Sequence, residues 1–136
     1  MKLTLIEYFQ GDDVLLPFNY YDIWVDNKAV GKISLRFGNN FHSYYNGHVG
    51  FEIFPEHQGN NYAYEAMRLL MNEARDYNIV KILLTCDESN KTSKHIFEKL
   101  GARYIETTKI PEACFFYKPN IESYLIYELF LTKLDK

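Results

Sequence analysis

The amino-acid sequence predicts one mixed α/β domain, and three observations predict it. Four early segments bounded by turn residues read as strands, and the one that stops at Pro55 alternates apolar and polar residues as a half-buried strand does. Two later segments, Asn60 to Tyr77 and Thr92 to Leu100, repeat their apolar residues at helical spacing. Between them the unbroken apolar run Ile82-Leu83-Leu84 reads as a strand covered on both faces.

In chain order, Leu3 to Tyr8 opens as a short strand, and Gly11-Asp12-Asp13 turns the chain. Pro17 blocks any long helix before the next strand. Tyr20 to Val25 and Ala29 to Phe37 form a hairpin around Asp26-Asn27-Lys28. Gly38-Asn39-Asn40 ends the second of these, and a loop through Asn46-Gly47 leads to a strand from His48 to Phe54.

The helix from Asn60 to Tyr77 places Ala63, Ala66, Met67, Leu70, Ala74 and Tyr77 on one face, with Glu65, Arg68, Asn72 and Asp76 on the other. Asn78 stops it. A strand from Ile79 to Cys86 follows, then a short helix from Thr92 or Ser93 to Leu100, closed by Gly101. Arg103 to Lys109 and Tyr124 to Leu131 are the last strands, joined by a proline-containing loop from Ile110 to Ile121.

The 136 residues fit one domain, 1–136, with a core large enough to need no staples. Hydrophobic content of 47% with 24% charged residues is globular, and a net charge of −3 supplies no basic field for nucleic acid or an anionic membrane. Cys86 and Cys114 cannot build a disulfide framework. No signal-peptide pattern and no apolar run of transmembrane length is visible, so a reducing, cytoplasmic setting is expected. His42, His48, His57 and His95 show no metal-ligand spacing, and no metal is expected. The aromatic content of 12 Tyr, 10 Phe and 1 Trp reads first as strand-face core packing and second as pocket wall or dimer surface.

The most informative stretch is Gly50 to Met67. An alternating strand stops at Pro55, a short polar loop Glu56-His57-Gln58-Gly59-Asn60-Asn61 follows, and an amphipathic helix begins at once. Helix starts leave backbone N–H groups unpaired and carry positive potential, so this junction attracts phosphate. A ligand-free helix cap is the plainer alternative. The second motif is Asn90-x-x-Ser93-x-x-x-Phe97-Glu98-Lys99-Leu100-Gly101, where Asn90 and Ser93 also suit simple capping.

Together and in this order, the two motifs resemble the acetyl-CoA-binding core of the GNAT N-acetyltransferase family over roughly Tyr20 to Leu131. The resemblance implies a GNAT-like mixed, twisted sheet with helices on both faces. It implies acetyl-CoA as co-substrate, with Ile53, Phe54, Gln58, Gly59, Asn60, Asn61, Tyr62, Ala63, Asn90, Ser93 and Phe97 around it. Gln58, Gly59, Tyr62 and Ala63 fit the family's pyrophosphate loop, while Asn61 stands where glycine is usual; Asn keeps its N–H and tolerates positive φ. The resemblance also implies that Asn90 binds the pantetheine arm and that Ser93 lies near the thioester sulfur. Phe97 takes the place of the usual acidic tyrosine, leaving that role to Ser93, a water or another Tyr.

An amine acceptor must lose a proton, and Glu52, on the strand entering the loop, is the expected general base; a solvated strand glutamate is the alternative. Backbone N–H groups near Phe54 are expected to polarise the thioester carbonyl. An acyl-cysteine route through Cys86 or Cys114 is not expected, which favours direct transfer. The family's two helices between its first strands are truncated here to the segment Phe9 to Asn19. The acceptor side is then open to a peptide N-terminus or other amine, or completed by a second subunit as a homodimer. The Phe41 to Gly47 and Ile110 to Ile121 loops are its expected walls. A non-catalytic acyl-CoA-binding sensor or scaffold is the rival.

Overall fold

The computed structural model describes residues 1–131. The strands β1 (Lys2–Phe9), β2 (Phe18–Val25), β3 (Lys28–Arg36) and β4 (Val49–Ile53) pair antiparallel in chain order. A second antiparallel sheet holds β5 (Lys81–Asp87), β6 (Arg103–Thr108) and β7 (Tyr124–Phe130) in the order β5-β7-β6. Helix α1 (Phe41–Asn46) links β3 to β4, α2 (Tyr62–Asp76) links β4 to β5, and α3 (Lys91–Lys99) links β5 to β6. The mixed α/β class read from the sequence holds, with the sheet divided in two between β4 and β5.

The β2–β3 turn needs two residues at positive φ, and Asp26 (φ 49°) and Asn27 (φ 67°) supply them with side chains that tolerate this region. Beyond it, Tyr21 and Ile23 of β2 and Ile33 and Leu35 of β3 face the core, against Ala66, Met67, Leu70 and Ala74 of α2. These are the helix positions that the sequence assigned inward. Tyr77 departs: it is half exposed, its ring edge meets Phe37, and its hydroxyl accepts a hydrogen bond from Asn19 Nδ2 at 3.0 Å. Asn78, at φ 62°, ends α2, with its N–H donated to the Arg75 carbonyl.

Two readings are corrected. The segment Phe41 to Gly47, expected as a loop, is the helix α1, nucleated by a capping box: Asn40 Oδ1 accepts the Ser43 N–H at 2.7 Å, and Ser43 Oγ accepts the Asn40 N–H at 2.9 Å. Strand β5 is fully covered on one face only: Ile82, Leu84 and Cys86 are buried, while Leu83 and Thr85 are half buried on the face where Thr85 Oγ1 donates to the Tyr45 carbonyl of the short helix α1 at 2.9 Å.

Candidate active site

Strands β4 and β5 touch where His48 meets Leu83, then part. The His48 N–H donates to the Leu83 carbonyl at 2.8 Å, and the Leu83 N–H donates back to His48 Nδ1 at 2.9 Å. His48 Nε2 lies 2.8 Å from the Gly38 carbonyl. An acceptor at Nδ1 and a donor at Nε2 define a neutral imidazole, and burial lowers its pKa in agreement. Gly47, at φ 76°, permits the approach: a Cβ there would stand 3.1 Å from the Leu83 carbonyl oxygen.

Past this point β4 has an edge that no strand pairs among the described residues. Phe54 N–H bonds the Val30 carbonyl and Arg36 N–H the His48 carbonyl, so in the antiparallel register Glu52 and Gly50 direct their N–H groups to β3. The alternate amides, those of Phe51 and Ile53, face the gap. Of the amides near Phe54 expected to polarise a carbonyl, that of Phe54 itself is bonded to β3, and the open donors are one and three residues earlier.

Two neighbouring spaces lie at the gap. The outer is a cleft of about 930 Å³ lined by Glu52, Ile53, Gln58, Gly59, Asn61, Tyr62, Ala63, Asn90 and Ser93. The inner is a pocket of about 260 Å³ that shares Phe51, Asn90 and Ser93 with the cleft and adds Arg36, Cys86, Phe97 and Tyr124. The structure thus brings the loop residues, Asn90, Ser93 and Glu52 to one cleft, and Phe97 to the adjoining pocket. Asn60 is left outside the lining; its Nδ2 donates to the His57 carbonyl at 3.1 Å.

The loop carries the site's strongest electrostatic feature. Asn61 caps α2 in the left-handed region, at φ 64° and ψ 18°, and its side chain makes no cap bond. Among the described residues, the backbone N–H groups from Gly59 to Tyr64 have no acceptor. Gly59 (φ 87°) faces open space, since an added Cβ would meet nothing within 4 Å. Gln58 Nε2 donates to the Ile53 carbonyl at 3.0 Å and ties the loop to the end of β4. A run of free amides at the start of a fifteen-residue helix fits a phosphate-bearing ligand.

At the other wall, Asn90 caps α3 by accepting the Ser93 N–H on Oδ1 at 3.1 Å. That leaves its Nδ2 hydrogens for a ligand. Ser93 is 7% exposed, and Phe97, 3% exposed, packs edge-on against Tyr127. Cys86 lines the inner pocket with its thiol pushed up to about 11, chiefly by burial, so it stays protonated at neutral pH and is a poor nucleophile. Glu52 is exposed on the opposite face of β4 from the core, with Lys32 as its register partner. Sequence reasoning passed over Arg36, Asn46 and Tyr124, all lining the inner pocket; a single Arg, Asn or Tyr at an element's end carries no local pattern. Among the described residues no group of three or more His, Cys, Asp or Glu is assembled as a metal site, and no helix is long and apolar enough to cross a membrane.

The connection from β1 to β2 contains no helix. It folds through Asp12, whose Oδ1 accepts the Val14 and Leu15 N–H groups. Helix α1 and the Phe115-Phe116 loop flank it, held together by the Phe115 N–H donating to His42 Nδ1 at 3.0 Å.

The arrangement matches known proteins. A family model described as an acetyltransferase (GNAT) domain matches residues 4–103. Comparison with curated proteins finds no match. Among solved structures, a ribosomal L7/L12 α-N-protein acetyltransferase is similar at a TM-score of 0.67 and 16% identity, over 84% of this chain and 70% of that one. A ribosomal-protein-alanine N-acetyltransferase from Brucella melitensis is similar at 0.67 and 15%, over 84% and 69%. A microcin C7 self-immunity acetyltransferase, in complex with acetyl-CoA and AMP, is similar at 0.63 and 18%, over 83% and 61%, so the chain spans less than two thirds of that structure. The family model covers most of the chain, and the fold agrees. The chain belongs to the GNAT acetyltransferase family.

Proposed function

We propose that this chain transfers the acetyl group of acetyl-CoA directly to a primary amine, on a peptide or protein N-terminus or on a small molecule. The observation that carries the reading is the run of unpaired amides from Gly59 to Tyr64 at the mouth of a cleft leading to Ser93. Acetyl-CoA supplies an acyl carbon activated as a thioester. The free amides would hold its pyrophosphate, and Asn90 Nδ2 would donate to its pantetheine arm. The edge amides of Phe51 and Ile53 are the donors available to polarise a carbonyl in the gap.

Glu52 is our candidate to take the amine's proton, directly or through a water, on the strand that enters a cleft also lined by His57 and His95. Phe97 cannot give a proton to a departing sulfur. The hydroxyls nearest to that task are those of Ser93 and Tyr124, which share the inner pocket. Burial, and then the neighbouring Asp87, raise the Tyr124 pKa, so its hydroxyl is protonated at neutral pH but a weaker acid than a free tyrosine.

Two of the similar structures are named for acetylating ribosomal proteins, which supports an N-terminal amine as one acceptor class. The test is release of coenzyme A thiol from acetyl-CoA across a panel of peptides, polyamines, amino acids and aminoglycosides, with the acetylated product identified by mass. Release with at least one class is expected. Binding of acetyl-CoA with no release for any class would favour a second reading, a non-catalytic acyl-CoA sensor or scaffold, for which the buried Phe97 is the specific support.

A further inference from the structure

Arg36, the last residue of β3, lies between two cavities. It lines the inner pocket and also a separate cavity of about 250 Å³ walled by Leu15, Leu16, Phe18, Phe115 and Phe116. Among the described residues its side chain makes one hydrogen bond, Nη1 to the Gly47 carbonyl at 3.2 Å, and forms no ion pair with a carboxylate. Arg36 is half-buried, so its guanidinium has lost part of its water without gaining a counter-charge among the described residues, a costly state for a structural residue. Burial lowers its pKa from the usual value, and no acidic group offsets that effect.

The guanidinium lies over Gly50: a Cβ there would stand 3.0 Å from Arg36 Nη2 and 3.2 Å from Ser34 Oγ, tight enough to shift the guanidinium by a few tenths of an ångström. Gly50 pairs with Ser34 and Glu52 with Lys32, so Arg36, Gly50 and Glu52 lie on one face of the sheet. Residues two apart on a strand are separated by about 7 Å. A molecule with a carboxylate at one end and an amine one carbon away can span from the guanidinium towards Glu52. Its side chain would then enter the cavity between Leu16 and Phe115.

We propose that Arg36 anchors a carboxylate of the acceptor, which makes the acceptor an apolar α-amino acid. The inference rests on the amine-acetylation reading and names the substrate class of that same site. The planar fork of the guanidinium matches a carboxylate with two parallel hydrogen bonds, which an amide cannot accept in the same way. Leu15, Leu16, Phe18, Phe115 and Phe116 select an apolar side chain by burial.

The test is calorimetric titration of the full chain, alone and loaded with coenzyme A, with three probes: leucine, leucinamide and isopentylamine. Leucine is expected to bind at least about tenfold tighter than the other two, the share of a charge-assisted hydrogen bond. Arg36→Gln is expected to abolish that difference, and Gly50→Ala to reduce it by displacing the guanidinium. Equal affinity of the wild type for leucine and leucinamide would overturn the proposal, as would an undiminished preference in Arg36→Gln. If either variant fails to fold, the wild-type comparison alone decides. Acetyl-CoA titrated in the same series separates the two claims. Its failure to bind, with the leucine preference intact, removes the transfer reading and leaves the carboxylate site. Its binding without a leucine preference removes the site and leaves the transfer reading.

Discussion

The Leu83 amide donates to His48 Nδ1 at 2.9 Å, and the same imidazole holds the Gly38 carbonyl through Nε2 at 2.8 Å. One neutral ring thus joins the two sheets at the point from which the cleft opens. Protonating Nδ1 would remove the acceptor that Leu83 uses.

That bond predicts a pH dependence. Burial lowers the folded-state pKa of His48 below its unfolded value of about 6.5, so the fold favours the neutral form. Its contribution is fully present above about pH 6.5 and is lost as pH falls from there through the folded pKa. The urea midpoint of the wild type should drop between pH 7 and pH 5 by more than that of His48→Gln. Parallel curves for the two proteins would show that His48 does not carry the dependence.

Asn90 and Ser93 should separate in their effects. Asn90→Ala removes the cap that holds the Ser93 N–H at 3.1 Å and should cost about 1 kcal/mol of stability. It should also weaken acetyl-CoA binding, because Nδ2 goes with it. Ser93→Ala keeps the cap acceptor and should lower kcat more than acetyl-CoA affinity. Chemical denaturation and steady-state kinetics on both variants check this; identical stability losses with unchanged kinetics would reduce the pair to a helix cap.

Glu52→Gln preserves shape and removes the base. Turnover at neutral pH should fall by roughly 10²–10⁴-fold, with acetyl-CoA affinity little changed. Raising the pH should restore part of the rate, since more acceptor amine is then already deprotonated. Wild-type turnover across the pH range would exclude Glu52 from the proton transfer.

The strands, α2 and α3 could be read from the sequence because their signals are local. The turn at Asp26-Asn27-Lys28 set the hairpin of β2 and β3, the spacing from Ala66 to Ala74 set α2, and Asn78 marked its end. Helix α1 was missed because six residues give too short a period, although Asn40 and Ser43 form a capping box. The division of the sheet was missed because it depends on a long-range contact between His48 and Leu83. For the site, Gly59 to Ala63, Asn90, Ser93 and Glu52 announced themselves through strand-to-helix junctions, and the structure gathers all of them but Asn60 at one cleft. Arg36 and Tyr124 enter it only through the tertiary fold, so no pattern near either residue could have named them.

The central claim is that the unpaired amides from Gly59 to Tyr64 hold the pyrophosphate of coenzyme A. The most direct measurement is a two-dimensional ¹⁵N–¹H NMR titration of the full chain with coenzyme A, following those six amides individually. The account predicts saturable shifts concentrated at Gly59 to Tyr64, with smaller ones at Phe51, Ile53 and Asn90 and none along β1. Saturating coenzyme A that leaves the Gly59 to Tyr64 resonances in place would contradict it.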